Sequence, residues 1–331
     1  MAPFISVIIP NRNGEATIGL CLEAAFASDY EPFEVIVVDD HSEDGSVEVI
    51  ERFPCRLVRL DRHRGASAAR NAGAARSRGE VLFFTDADCL LEKRSLAVAA
   101  RAFQSFGPGV VIGGTYTRQP YDRDFFSRFQ SIFVNYSECK NAQDADYAAA
   151  HAMVIAAETF RSGGGFPENF LPVAEDVEFS HRLRRAGYRI VVDPGLQVRH
   201  IFGFSLYRSL RNAAYKSMNW TIYSIGNRDV FADSGTASTE LKSTVLFHFV
   251  GVSLLILFSI YGDKAFLYLS VLPVAASLSV SRGLIGAFFR AGGTTFGIAA
   301  AAYYLFVYPL AVGAGGLTGV ARHLVLERGR R

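Results

Sequence analysis

Hydrophobic and polar positions fall into short apolar blocks separated by polar turns up to about residue 240, and into long apolar stretches after it. Residues 4–9 form an apolar run ended by Pro10, the pattern of a buried strand stopped by a residue that cannot donate to a ladder. In residues 15–26, Ile18, Leu22, Ala25 and Phe26 share one helical face. Residues 34–38 predict a second strand and, after the Asp44-Gly45 turn, 46–53 a helix. Residues 56–60 predict a third strand, 65–78 an alanine-rich helix, and 81–84 a fourth strand buried on both faces. Successive β-α units packed into fewer than about ninety residues predict a parallel sheet with helices on both faces.

Further on, strands are expected at 110–116, 151–155 and 191–193, a phenylalanine-rich helix at 122–136, and a short helical turn at 158–161. A glycine loop, 163–167, precedes a helix that opens on Glu175-Asp176 and ends at Gly187. Residues 204–223 mix Leu206, Tyr207, Leu210 and Met218 with Arg208, Arg211 and Lys216, which suits a helix at a membrane surface. A polar linker at 229–238 leads to apolar stretches at 244–261, 265–281 and 294–320, the first two near the lower limit of ~17 residues for a crossing. The expected organisation is a catalytic domain at 1–203, an interfacial helix and linker at 204–240, and a membrane region of two to three spans at 241–331.

Charge sharpens this division. Residues 241–331 carry a net charge of +6, and the overall +2 leaves −4 for residues 1–240. The first part is therefore mildly acidic, with no basic stripe for nucleic acid. Arg282 and Arg290 favour the cytoplasmic side, whereas three spans place Arg322, Arg328, Arg330 and Arg331 outside, against the positive-inside tendency. No signal peptide is expected: the N-terminus has no basic leader, and its apolar run is too short. Cys21, Cys55, Cys89 and Cys139 lack metal-ligand spacing and imply a reducing compartment.

Candidate chemistry gathers at the strand ends: Asn11 and Asn13 after the first, Asp39 and Asp40 after the second, Asp86 and Asp88 after the fourth. Ligands of α/β sheets collect at the carboxyl ends of strands. No G-x-G-x-x-G occupies the first turn, which disfavours a dinucleotide fold. If the backbone stays extended, Asp86 and Asp88 point the same way, and two such oxygens suit a hard divalent cation that takes its remaining ligands from water and phosphates.

Pro10-Asn11-Arg12-Asn13, Val37 to Gly45, Gly65 to Asn71 and Phe84 to Asp88, in this order, resemble the successive motifs of family-2 glycosyltransferases, from about residue 4 to 200. The resemblance implies an inverting, metal-dependent enzyme: an α/β catalytic domain of the GT-A fold, with a Rossmann-like mixed sheet, followed here by C-terminal helical membrane segments. It implies that Asp40, Pro10 and Asn13 line the nucleoside pocket of a UDP-sugar and that Arg70 approaches the nucleotide or its phosphates. It also implies that Asp88 holds Mn²⁺ or Mg²⁺, that Asp86 touches the ribose or, through water, the metal, and that His200 completes the metal shell.

The glycine loop, Glu175-Asp176 and the Arg182 to Tyr188 run resemble the family's acceptor-site signature, in which the aspartate is the general base. Asp176 is accordingly the expected base, with Glu175 positioning the acceptor or the loop. Lys216-Ser217-Met218-Asn219-Trp220 departs from the Q-x-x-R-W of processive relatives, which weighs against polysaccharide elongation. The expected protein is integral to the inner or plasma membrane, with its catalytic domain cytoplasmic. It transfers a sugar to a hydroxyl of a lipid-linked or membrane-proximal glycan, as in cell-envelope polysaccharide synthesis. A polyprenyl-phosphate glycosyltransferase and a silent nucleotide-sugar-binding subunit of an export complex are the rivals.

Overall fold

The computed structural model describes residues 2–169, 171 and 174–328, and the side chains of 326–328 are left aside. The chain divides into two compact units, Met1–Arg123 with Glu138–Phe202, and Asp124–Ser137 with Gly203–Arg331.

In the first unit the apolar runs become strands and the polar turns sit between them: β1 (Ile5–Asn11), α1 (Glu15–Phe26), β2 (Phe33–Asp39), α2 (Ser46–Ile50), β3 (Arg56–Arg59), α3 (Ala66–Ala74) and β4 (Val81–Phe84). There follow β5 (Cys89–Leu91), α4 (Ser95–Phe106), β6 (Val110–Tyr116), α5 (Phe125–Cys139), β7 (Met153–Ala156), α6 (Ala157–Ser162), α7 (Glu175–Arg185) and β8 (Arg189–His200). Among the described residues the sheet order is β3-β2-β1-β4-β7-β6-β8-β5. β1 to β4 are mutually parallel, but β7 runs antiparallel beside both β4 and β6, so the sheet is mixed. The parallel expectation therefore holds only for the first half. Apolar runs reveal that a strand is buried, not which way it runs.

β4 lies at the centre with every residue buried. Its Phe84 ring meets Phe160 and Phe166 at 5.0 and 5.1 Å, and Phe179 packs on both. Each such ring, fully buried, contributes roughly 1.5–3 kcal/mol. The cluster seats α6, the glycine loop and α7 against the end of β4. The strand expected at 191–193 is longer, running as β8 from Arg189 to His200. Pro194 and Gly195 fall where the β6 register shifts between Gly113 and Thr115, a bulge in which a missing N–H costs no ladder bond. The phenylalanine-rich helix starts near 125 rather than 122, because Asp124 Oδ1 caps the Ser127 N–H at 2.9 Å.

The second unit contains most of α5 together with α8 (Leu206–Asn227), α9 (Thr239–Tyr261), α10 (Lys264–Leu269), α11 (Val271–Val280), α12 (Arg282–Ala302) and α13 (Tyr308–Arg328), with a π-helical turn at Tyr303–Val307. Phe129 and Phe133 of α5 are buried here against Phe288, Tyr304 and Tyr308. Among the described residues two helices are long and apolar enough to cross a membrane, Thr239–Tyr261 and Arg282–Val325. The first begins before the apolar run at 244 because Ser238 caps it, accepting the Leu241 N–H at 3.1 Å. The second span, expected at 265–281, is a shorter apolar helix, Lys264–Val280, in two pieces joined at Ser270. Arg282 and Arg290, expected between spans, lie within α12. Arg330 and Arg331 lie outside the described residues.

The glycine-rich C-terminal stretch has a packing role. A Cβ on Gly315 would stand 2.2 Å from the Ala214 carbonyl oxygen, and one on Gly319 2.6 Å from that of Met218. This small-xxx-small spacing brings α13 against α8, where Ser217 Oγ donates to the Val312 carbonyl at 2.8 Å.

Candidate active site

The carboxyl ends of β1, β2 and β4 carry the polar residues singled out in the sequence, and the structure sorts them into three groups. At β1 and β2, Asp39 accepts from Asn11 Nδ2 at 3.0 Å and from the Ser42 N–H and hydroxyl at 3.1 and 2.5 Å, which fixes the turn. Asn13, exposed and at φ +50°, donates its N–H to Ser42 Oγ and accepts the Glu43 N–H. Pro10 lies half-buried opposite Val38. Buried Asp40 looks the other way: its carboxylate accepts the Arg64 and Gly65 N–H groups at 2.7 and 2.8 Å, and His63 Nδ1 lies 2.7 Å away. Both acids thus anchor loops, Asp39 its own turn and Asp40 the loop that opens α3.

After β4 the backbone does not stay extended. The Cys89 N–H returns to the Asp86 carbonyl at 3.0 Å, and the resulting turn sends the two carboxylates to different partners. Asp86 Oδ1 accepts Arg70 Nη2 at 2.6 Å, and Arg70 Nη1 donates to Glu175 Oε1 at 3.0 Å. Arg70 is 4 % exposed and its guanidinium lies 5.6 Å from the Phe166 ring centroid. Burial works to raise the Asp86 carboxyl, but the Arg70 charge outweighs it and holds the group below its ordinary range.

Asp88 faces β8. The β5–β8 pairing sets Cys89 opposite His200, the Ile201 N–H donates to the Asp88 carbonyl at 2.9 Å, and His200 Nε2 lies 3.6 Å from Asp88 Oδ2. The ligand atoms of Asp88, Cys89 and His200 lie within 4.8 Å of one another. Asp86 is not in that group. Burial and the charge of Asp86 push the Asp88 carboxyl up to about 7, although 42 % of the side chain is open and water moderates the effect. The Cys89 thiol is pushed well above its usual value, chiefly by burial. Phe202 stacks on His200 at 4.0 Å, and the edge of Tyr116 meets the same ring at 5.0 Å.

Asp176 opens α7. Its Oδ2 accepts the Ala150 N–H at 3.1 Å and its Oδ1 the Val177 N–H at 2.9 Å. Burial and then the Glu175 charge raise its carboxyl to about 6, close to what a base needs near neutral pH.

Two features lay beyond the sequence. Asn71, beside Arg70, exchanges a pair of hydrogen bonds with the Phe166 backbone, accepting at 2.9 Å and donating at 2.8 Å. It also reaches Glu168 Oε1 at 3.1 Å, while Arg64 holds Glu168 Oε2 at 2.6 Å. On the other side, Arg182 donates to the carbonyls of Gly163 and Gly165. The glycine loop is therefore clamped between α3 and α7. Gly165, at φ +67°, has no room for a side chain: a Cβ would lie 2.7 Å from Asn71 Oδ1. The second feature is the buried His151, stacked at 4.1 Å on Tyr116 and 3.6 Å from Glu138. The only signal for Asn71 was its place in the Ala69-Arg70-Asn71 motif, and nothing local marked Glu168 or Tyr116.

Comparison with known proteins bears on this arrangement. Residues 6–155 match the family described as glycosyl transferase family 2. The glycosyltransferase AglE of Haloferax volcanii is 29% identical over 240 residues, 70% of this chain and 78% of that protein. Among solved structures, a mannosyltransferase from Pyrobaculum calidifontis in complex with GDP-Man and Mn²⁺ superposes with a TM-score of 0.60 at 20% identity, covering 97% of this chain and 88% of that one. TarS 1-349 of S. aureus superposes with a TM-score of 0.50 at 20% identity, covering 99% and 92%.

Proposed function

Because this chain is a glycosyltransferase that carries a glycosyl transferase family 2 domain in a GT-A fold, we propose that it transfers a sugar, with inversion, from a nucleoside-diphosphate sugar to a hydroxyl of a lipid-linked or membrane-proximal glycan. Asp176 is the base. The acceptor oxygen attacks the anomeric carbon from the face opposite the leaving group, its proton passes to Asp176, and the bond from that carbon to the diphosphate oxygen breaks. Glu175 holds the raised carboxyl of Asp176 company from the next position and is itself fixed by Arg70. The observation that carries this reading is the Asp86–Arg70–Glu175 bridge: one buried guanidinium joins the acid after β4 to the acids that open α7.

The donor nucleoside is assigned to the ends of β1 and β2, lined by Pro10 and Asn13 and backed by Asp40 through the loop it anchors. The donor is expected to be UDP-linked, with GDP-mannose, the ligand of the Pyrobaculum neighbour, as the alternative to test.

Asp88 and His200 suit a divalent cation, Mn²⁺ more than Mg²⁺ because imidazole is an uncommon magnesium ligand. Cys89 adds little while its thiol stays protonated. Asp86, committed to Arg70, reaches a metal only through water or turns to the ribose. A cation held by Asp88 and His200 would supply charge that stabilises the departing diphosphate. The apolar helices anchor the protein in the membrane, with the catalytic unit on the cytoplasmic side.

Full-length protein in detergent, given a panel of UDP- and GDP-sugars with Mn²⁺, Mg²⁺ or chelator, tests the proposal. Metal-dependent release of nucleoside diphosphate from one donor is expected. Release undiminished by chelator removes the metal from the mechanism.

A further inference from the structure

We propose that a cleft on α8 binds the net-anionic phosphate headgroup of a membrane lipid, and so would hold the phosphate of a lipid-linked acceptor. The inference rests on the acceptor reading above and adds the chemical group by which that acceptor is gripped. The cleft, of about 380 Å³, is lined by Phe204, Arg208, Arg211, Asn212 and Tyr215. Positions 208, 211, 212 and 215 recur at the i, i+3, i+4, i+7 spacing of one helix face, so their side chains converge rather than fan out.

The chemistry of the lining is one-sided. It contains two guanidinium groups and no carboxylate. The Arg208 guanidinium donates to the neutral Gly203 carbonyl at 3.0 Å and makes no ion pair among the described residues. Among those residues Arg211 and the Asn212 amide have no hydrogen-bond or ion-pair partner at all. Two cations brought together without an anion repel each other, and a phosphate removes that cost while accepting several charge-assisted hydrogen bonds. Arg208 lies in the first turn of α8, where the macrodipole favours negative charge.

The surroundings favour a lipid over a soluble anion. Leu206 and Tyr207 on the same helix end are 45% and 71% exposed, and Phe204 and Tyr215 put aromatic rings in the cleft itself, a composition suited to the headgroup layer. Away from the cleft, α8 is packed on α13: Gly315 meets Ala214, Gly319 meets Met218 and Thr221, and Ser217 Oγ donates to the Val312 carbonyl. α13 continues the apolar helix Arg282–Val325, so the cleft is tied to a segment long enough to cross the bilayer.

The test uses the full chain in neutral detergent with chelator present, so that the metal site takes no phosphate. Retention of a polyprenyl diphosphate and of phosphatidylcholine is counted by native mass spectrometry, with inorganic pyrophosphate as competitor. Wild type is expected to retain the diphosphate lipid in preference to phosphatidylcholine. Arg211→Gln should weaken retention ~10-fold and the pair Arg208→Gln with Arg211→Gln by more, from the loss of charge-assisted bonds. UDP affinity measured with Mn²⁺ in the same preparations should not change, which shows that the variants are folded. Equal retention by the double variant and wild type, or equal retention of the two lipids, overturns the proposal. Displacement by an equal concentration of pyrophosphate overturns the lipid as its source. Normal retention without sugar transfer counts against the acceptor reading and leaves the cleft standing.

Discussion

Arg70 Nη1 and Glu175 Oε1, 105 residues apart in the chain, are joined at 3.0 Å, while the other arm of the same guanidinium holds Asp86 at 2.6 Å. The bond ties the motif on α3 to the acids of α7, and Asp176 lies near enough to feel the same charge. Removing Arg70 leaves two formerly paired carboxylates without a counter-charge. Arg70→Gln should therefore cost roughly 3–5 kcal/mol, as other broken buried pairs do. The sign of its pH dependence follows. Without Arg70 burial, the largest effect on Asp86, raises its folded-state carboxyl above the unfolded value, so the folded protein binds more protons and the deficit shrinks as pH falls from 8 to 5. Urea unfolding at the two pH values measures it; a pH-independent deficit would show that Arg70 acts by packing alone.

The Asn71–Phe166 clamp makes a different prediction. Asn71→Ala removes both bonds that hold the glycine loop to α3 and strands a backbone N–H and carbonyl, at about 1–3 kcal/mol. Acceptor KM should rise while nucleotide-sugar affinity stays near wild type, since Asp40 still holds its loop through the Arg64 and Gly65 N–H groups. Calorimetric titration of donor, beside acceptor saturation curves, checks this. A loss confined to donor affinity would contradict it.

Metal binding should be pH-sensitive. Asp88 stands at about 7, so a cation competes with a proton for it. Mn²⁺ affinity, read by electron paramagnetic resonance, should climb as pH rises through 7. Asp88→Asn should lower it at least ~10-fold, within the range for weakened metal sites. Cys89→Ser should change little, because the native thiol is held protonated.

Packing of α13 on α8 leaves no room for a side chain at Gly315. Gly315→Leu should lower the thermal midpoint of the detergent-solubilised protein by several degrees, with UDP binding retained until the transition. An unchanged midpoint would mean that the two helices do not depend on close contact.

The parts of this protein that were legible in the sequence are those where local pattern and structure coincide. Strands buried on both faces appear as unbroken apolar runs, so 4–9, 34–38 and 81–84 stood out, and with them the polar residues at their ends. β5, Cys89–Leu91, is too short to carry a period, and its place beside β8 depends on a partner more than a hundred residues away. The antiparallel course of β7 is likewise a property of the pairing and not of Met153–Ala156. Residues 122–136 read as a helix, but Phe129 and Phe133 gave no sign that their partners would be Phe288 and Tyr308. A chain cut after Asp233 would leave those two rings bare. At the site, Asp86 and Asp88 were found as a pair and His200 was expected beside Asp88, but the turn at Cys89 separates the two carboxylates, and only tertiary contacts reveal that Arg70 claims Asp86.

The central claim is that Asp176 takes the acceptor proton, and transfer rate together with donor affinity in Asp176→Asn tests it most directly. With its carboxyl at about 6, the base is ionised above that pH and protonated below it, so wild-type kcat/KM, measured at saturating Mn²⁺ to keep the Asp88 site filled, should fall as pH drops through 6. Glu175→Gln, which removes a charge that raises Asp176, should move that limb to lower pH. Asp176→Asn should lose ~10²–10⁴-fold in transfer, the usual contribution of a positioned base, and the acid limb with it, while binding the nucleotide sugar as wild type does. A variant that transfers within a few-fold of wild type would contradict the account, and would point to an acceptor oxygen that is already ionised, as a polyprenyl phosphate supplies.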